Sequence, residues 1–167
     1  MNIDGFEIER KFLIAMPDPA FLQSCDSSEI TQTYLIGEEN TTERVRKRVY
    51  PDRCEYTHTV KRKINDMRRI EDEHEINEAA YTALLERADT ARHVIRKTRH
   101  CFTHSGRLWE LDVFPFWKDR AFLEIELADE EEAFTLPPGI HLIREVTDDP
   151  RYTNAALSFE IPNEEID

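Results

Sequence analysis

Period-two alternation runs through most of this chain and constrains its fold more than any other feature. Eight segments place apolar or β-forming side chains at every second position: FEIERKFLI (6–14), ITQTYLI (30–36), ERVRKRVY (43–50), EYTHTVKRK (55–63), RIEDEHEI (69–76), VIRKTRHCF (94–102), RLWELDVF (107–114) and AFLEIEL (121–127). Such alternation gives a strand one apolar and one polar face. IHLIREVT (140–147) reads as a further short strand. Helical signal is sparse: a short helix at 17–23 with proline at its start, an amphipathic one at 77–89 that Asn77 can cap, and a third at 153–159. Consecutive strands joined by turns imply a mainly antiparallel sheet, and about eight of them close readily into a barrel. The 167 residues fit a single domain over 1–167.

The polar faces are sorted by charge. Residues two apart on a strand lie about 6.6 Å from each other on the same face. Glu7, Glu9 and Lys11 therefore share a face, as do Arg44, Arg46 and Arg48, and Thr59, Lys61 and Lys63. Arg69, Glu71, Glu73 and Glu75 form another such row, followed by Lys97 with Arg99, Glu110 with Asp112, and Glu124 with Glu126. The plain alternative is a solvated sheet face, on which opposite charges pair weakly. Triplets of cations on one strand argue against it, because like charges at neighbouring positions repel. With the charged face turned inward, the cations need anions and the carboxylates need cations. A polyphosphate with a divalent metal supplies both, since arginine forks fit phosphate and hard carboxylate oxygens suit Mg²⁺ or Mn²⁺.

Composition narrows the partners. The net charge of −13 argues against nucleic acid and membrane surfaces, which select basic faces. No apolar run approaches membrane-spanning length, and residues 1–11 lack the apolar middle of a secretory signal. Three distant cysteines without a CxxC read as reduced thiols, so the expected compartment is the cytoplasm. Six histidines show no ligand spacing, and His58 and His74 fall opposite the charged face. Trp109 reads as core, Tyr34 as core or cavity, and RYTN (151–154) as the cap of a terminal helix.

EIERK (7–11) resembles the ExExK signature of the CYTH, or triphosphate tunnel metalloenzyme, superfamily. RVRKR (44–48) resembles its RxR element and TVKRK (59–63) its TxK element; RRIEDEHEI (68–76), KTR (97–99), WELDVF (109–114), LEIEL (123–127) and EVTDDPRYTNAAL (145–157) follow its later blocks in order. The resemblance implies an eight-stranded antiparallel β-barrel tunnel, α+β by class, with a charged interior and a few helices packed outside. It also implies a metal-dependent triphosphatase converting inorganic triphosphate to pyrophosphate and phosphate. The alternatives are a class IV adenylate cyclase, a thiamine or nucleoside triphosphatase, and a non-catalytic polyphosphate-binding module; a homodimer is compatible with each. Arg44, Arg46, Lys61, Arg69, Lys97 and Arg99 are then the triphosphate contacts, and Glu7, Glu9 and Lys11 the catalytic set. Glu124 and Glu126 hold the essential Mg²⁺ or Mn²⁺, with Glu7, Glu9, Glu71, Glu73 and Asp112 as further metal ligands. Two departures stand out: PFWKDRAF (115–122) lacks the glycines common at that hairpin, and no lysine follows Lys118, leaving Arg144 or Arg151 as substitutes.

Overall fold

The computed structural model describes residues 8–64, 69–129 and 131–166. Nine strands form one antiparallel sheet: β1 (Glu9–Ala15), β2 (Asp26–Leu35), β3 (Thr41–Val49), β4 (Cys54–Lys63), β5 (Arg69–Ile76), β6 (Ile95–His104), β7 (Arg107–Val113), β8 (Arg120–Glu126) and β9 (Leu142–Glu145). Their order is β5-β4-β3-β2-β6-β7-β8-β1-β9. Each of the eight alternating segments carries a strand within its described residues, and β2 begins earlier than its apolar pattern because Asp26, Ser27 and Ser28 pair with Cys101, His100 and Arg99 of β6.

The sheet curls into a tunnel-like fold, yet among the described residues no ladder joins its edge strands β5 and β9, so the expected eight-stranded closed barrel is an open sheet of nine. The reason lies in β1. Its outer edge is occupied by β9, with Phe12 opposite Glu145 and Leu13 opposite Arg144, so β5 has no free edge of β1 to pair with.

Helix α1 (Pro19–Ser24) starts where the Asp18 carboxylate accepts from Ala20 N at 3.0 Å. In α2 (Glu78–Leu84), Asn77 Oδ1 accepts from Ala80 N at 2.8 Å; the expected helix shortens because its last turn tightens into a 3₁₀ turn at Leu85–Arg87. Helix α3 (Asn154–Leu157) is one turn, capped by Thr153. Each cap satisfies an amide that the helix itself leaves without a partner.

Burial decides which way the sheet faces. On its convex side, Phe12, Ile14, Trp109, Leu111, Leu123 and Ile125 pack with Phe21 and Leu22 of α1 and with Phe134, Leu136 and Ile140. Leu35 and Val45 pack there against Tyr81 and Leu84 of α2. The concave face carries the charges over most of its length. At one end it turns apolar, where Leu13, Tyr34, Ile95, Phe114 and Phe122 meet Tyr152 and Leu157. Strand β8 is consequently buried on both sides over six of its seven residues.

Candidate active site

The concave face encloses a cavity of about 680 Å³. Alternation aims one row from each of eight strands into it: Glu9 and Lys11 from β1, Tyr34 from β2, Arg44 and Arg46 from β3, Thr59, Lys61 and Lys63 from β4, Glu73 from β5, Arg99 from β6, Glu110 from β7, and Glu124 and Glu126 from β8. Val146, Tyr152, Thr153, Asn154 and Ala155 wall the apolar end.

Four cations, Arg44, Arg46, Lys61 and Lys63, line the β3–β4 wall. Arg44 stands 4.0 Å from Glu71 and 3.9 Å from Glu73, and Lys61 stands 4.0 Å from Glu71. Thr59 Oγ1 donates to Glu73 at 2.7 Å. Glu71 and Glu73, expected as metal ligands, thus lie beside the basic wall, within 4.0 Å of its cations. Arg46 differs from its neighbours. Its Nε and Nη2 donate to the neutral Gln32 Oε1 at 3.1 and 2.8 Å, and among the described residues no carboxylate forms an ion pair with it. Burial, together with the nearby charges of Arg44 and Arg99, pushes its pKa down to about 10.

Beneath the cavity lies a buried triad. Asp112 is 1% exposed and Lys97 2%. Arg99 Nε and Nη2 donate to the two Asp112 oxygens at 2.9 and 3.0 Å, and Lys97 Nζ sits 2.8 Å from Asp112 Oδ2. Burial opposes the Asp112 charge, but Lys97 and Arg99 outweigh it and hold the carboxyl well below its usual range. Burial pushes Lys97 down to about 8, with Asp112 resisting. Arg99 also meets Glu110 at 2.8 Å; burial acts against its charge, yet Asp112 and Glu110 raise its pKa above the ordinary value. The expected metal ligand Asp112 and the expected phosphate contact Lys97 therefore form an ion pair with each other below the cavity lining. Only Arg99 of the three reaches the lining.

The opposite wall is acidic. Glu9 faces Glu126 in the β1–β8 register, Lys11 faces Glu124, and Glu110 faces Glu124 across β7 and β8. Lys11 Nζ lies 3.2 Å from Glu124, donates to the Tyr152 carbonyl at 3.0 Å, and stands 4.6 Å over the Phe122 ring. Glu9, Glu124 and Glu126 line this wall with carboxylate oxygens, the donor type that hard divalent cations bind, although among the described residues no three such groups are gathered closely enough to hold one. Glu7 and the side chain of Arg69 lie outside the described residues.

Other expectations resolve plainly. Arg48 turns from the cavity to Ser28 Oγ at 2.9 Å and stacks 4.7 Å from the Tyr50 ring centre. Arg144 pairs with Asp149 and Glu164, and Arg151 with Asp149; neither lines the cavity, so neither replaces the missing lysine. His58 binds Glu43 at 2.6 Å on the convex side. Trp109 is core. Sequence reasoning missed Gln32, which is fully buried and oriented toward Arg46, although it shares the face of Tyr34 two residues on.

No protein-family model matches the chain. It is 34% identical over 154 residues to the inorganic triphosphatase of Acetivibrio thermocellus, covering 92% of this chain and 93% of that protein. It is 33% identical over 159 residues to the inorganic triphosphatase of Nitrosomonas europaea, with 93% and 99% coverage. The crystal structure of the inorganic triphosphatase NE1496 superposes with a TM-score of 0.60 at 31% identity, covering 95% of this chain and 97% of that one. The chain belongs to the inorganic triphosphatase family, within the CYTH or triphosphate tunnel metalloenzyme superfamily. A putative adenylate cyclase from Bacillus halodurans shares the fold at 14% identity and a TM-score of 0.53, over 75% of this chain and 82% of that one.

Proposed function

We propose that the protein hydrolyses inorganic triphosphate to pyrophosphate and phosphate in this cavity. One observation carries the reading: Arg46 is a half-buried guanidinium on the cavity lining whose hydrogen-bond partner is a neutral amide and not a carboxylate, so its remaining N–H groups are available to an anion. With Arg44, Lys61 and Arg99 on the same lining, the cavity offers a row of forked and point cations that matches a chain of phosphates.

In this reading Arg44, Arg46 and Lys61 hold phosphate oxygens and stabilise the charge that shifts in the transition state. Arg99 uses one N–H at each of its three nitrogens on Asp112 and Glu110, which leaves two of a guanidinium's five N–H donors for substrate. The donor chemistry of Glu9, Glu124 and Glu126 fits Mg²⁺ or Mn²⁺, and such an ion, when bound, neutralises phosphate charge. Lys11 pairs with Glu124 at 3.2 Å and holds its side chain in place. Glu9 orients the attacking water. The water oxygen bonds to the terminal phosphorus, the bridging P–O bond breaks and pyrophosphate departs with the bonding pair; one water proton stays on the new phosphate and the other passes to solvent or to the departing pyrophosphate.

The test is a phosphate-release panel with inorganic triphosphate, ATP, GTP and thiamine triphosphate, each with Mg²⁺ and with Mn²⁺. Fastest release from inorganic triphosphate supports the assignment. Cyclic AMP and pyrophosphate from ATP indicate a cyclase instead, and tight binding with no turnover indicates a polyphosphate-binding module.

A further inference from the structure

We infer that Tyr34 is a substrate-binding residue whose hydroxyl donates a hydrogen bond into the cavity, and that Gln32 positions it. The inference rests on the triphosphate reading above and follows from the polarity of a three-member hydrogen-bond chain. Arginine can only donate, so the Arg46 Nε and Nη2 contacts at 3.1 and 2.8 Å require the oxygen of the Gln32 amide on that side. The Gln32 NH₂ must then face the other way, and it donates to the Tyr34 hydroxyl oxygen at 2.9 Å. With its oxygen accepting, the hydroxyl must send its own proton elsewhere. Among the described residues the Tyr34 hydroxyl donates no hydrogen bond, and Tyr34 lines the cavity.

The ring is held where this matters. Arg92 lies 3.9 Å over it, tied in turn to Ser158 Oγ and the Ala155 carbonyl. Gln32 is fully buried and Tyr34 is 2% exposed, so the amide cannot rotate into bulk water to exchange partners. An unpartnered O–H in a buried site is stabilised by an anionic acceptor, and the cations beside it select a phosphate oxygen. Arg46 and Tyr34 thereby become two donors aligned by one amide.

The experiment compares steady-state hydrolysis of inorganic triphosphate by wild type, Tyr34→Phe, Gln32→Glu and the double variant, alongside their melting temperatures. Tyr34→Phe keeps the ring and removes the donor, so the KM for triphosphate rises roughly tenfold or more, the size of a hydrogen bond to a charged group. In Gln32→Glu the introduced carboxylate still accepts from Arg46 but turns the Tyr34 proton onto itself. Adding Tyr34→Phe in that background then changes KM by less than about twofold. Unchanged KM and kcat in Tyr34→Phe overturn the proposal, as does an equal loss in both backgrounds, because a packing role has no reason to depend on the polarity of residue 32. A lowered melting temperature with unchanged KM also overturns it. Wild-type protein that neither binds nor hydrolyses triphosphate refutes the underlying function, and is distinguished by needing no variant.

Discussion

Substituting Asp112→Asn tests whether the buried triad beneath the cavity sets both stability and substrate binding. The substitution keeps the shape and removes one charge from a site where Lys97 is 2% and Asp112 1% exposed. Two cations then remain with no buried counter-charge except the partly exposed Glu110 on Arg99. Breaking a buried pair by removing one member costs about 3–5 kcal/mol, because the surviving charge is desolvated without compensation. For a domain of this size each kcal/mol moves the melting temperature by roughly 2–4 °C, so a drop of roughly 6–20 °C is expected in calorimetry. The companion variant Lys97→Met with Asp112→Asn replaces the second member by an apolar side chain of similar reach. It recovers most of the loss, to within roughly 1–2 kcal/mol of wild type, because no uncompensated ammonium remains buried. Urea midpoints measured on all three proteins give the same ranking by an independent route. A loss below about 1 kcal/mol in Asp112→Asn, or no recovery in the double variant, refutes the account of the triad as an electrostatic support.

Three further outcomes follow from the same geometry. Lys97 sits at about 8, below its ordinary 10.5. The unfolded chain therefore binds more protons than the folded one between these values, so this group's contribution to stability increases as pH rises through that window. The same deprotonation removes a cation under the site, so KM for triphosphate rises above pH about 8, and Lys97→Met lacks that inflection. In wild type, inorganic triphosphate at 100 times its Kd adds about 2.7 kcal/mol of stability by mass action. Arg46→Ala abolishes most of this melting shift, while the ligand-free protein loses about 1–3 kcal/mol because the buried Gln32 oxygen is left without a donor; a full ligand shift in the variant counts against the site. Glu124→Gln retains the fold, because Lys11 keeps its bond to the Tyr152 carbonyl, but loses metal-supported phosphate release; full activity sinks the metal assignment.

The alternation of side chains made the strands, their antiparallel pairing and the sorting of charge by face legible before any coordinates. It did so because the period of a strand is a local property: whether Arg44 and Arg46 share a face depends on backbone pleating alone. Family motifs extended this to a tunnel and a triphosphate. Depth along the face was not legible. Asp112 and Glu110 share parity, yet Asp112 stands opposite Phe122 toward the apolar end while Glu110 stands opposite Glu124 at the cavity. Only the register between distant strands distinguishes a buried counter-ion from a cavity carboxylate. The open edge has a similar origin, for β9 meets β1 across more than 120 intervening residues, a pairing that no local pattern encodes. Gln32 was equally silent, since its role depends on Arg46 from one neighbouring strand and Tyr34 from its own converging on one amide. Sequence alone thus determined which residues share a strand face and that these faces carry opposed charges. Tertiary structure decided which of those charges neutralise one another and which remain for a ligand, because pairing is a matter of distances between strands that only the folded sheet brings together.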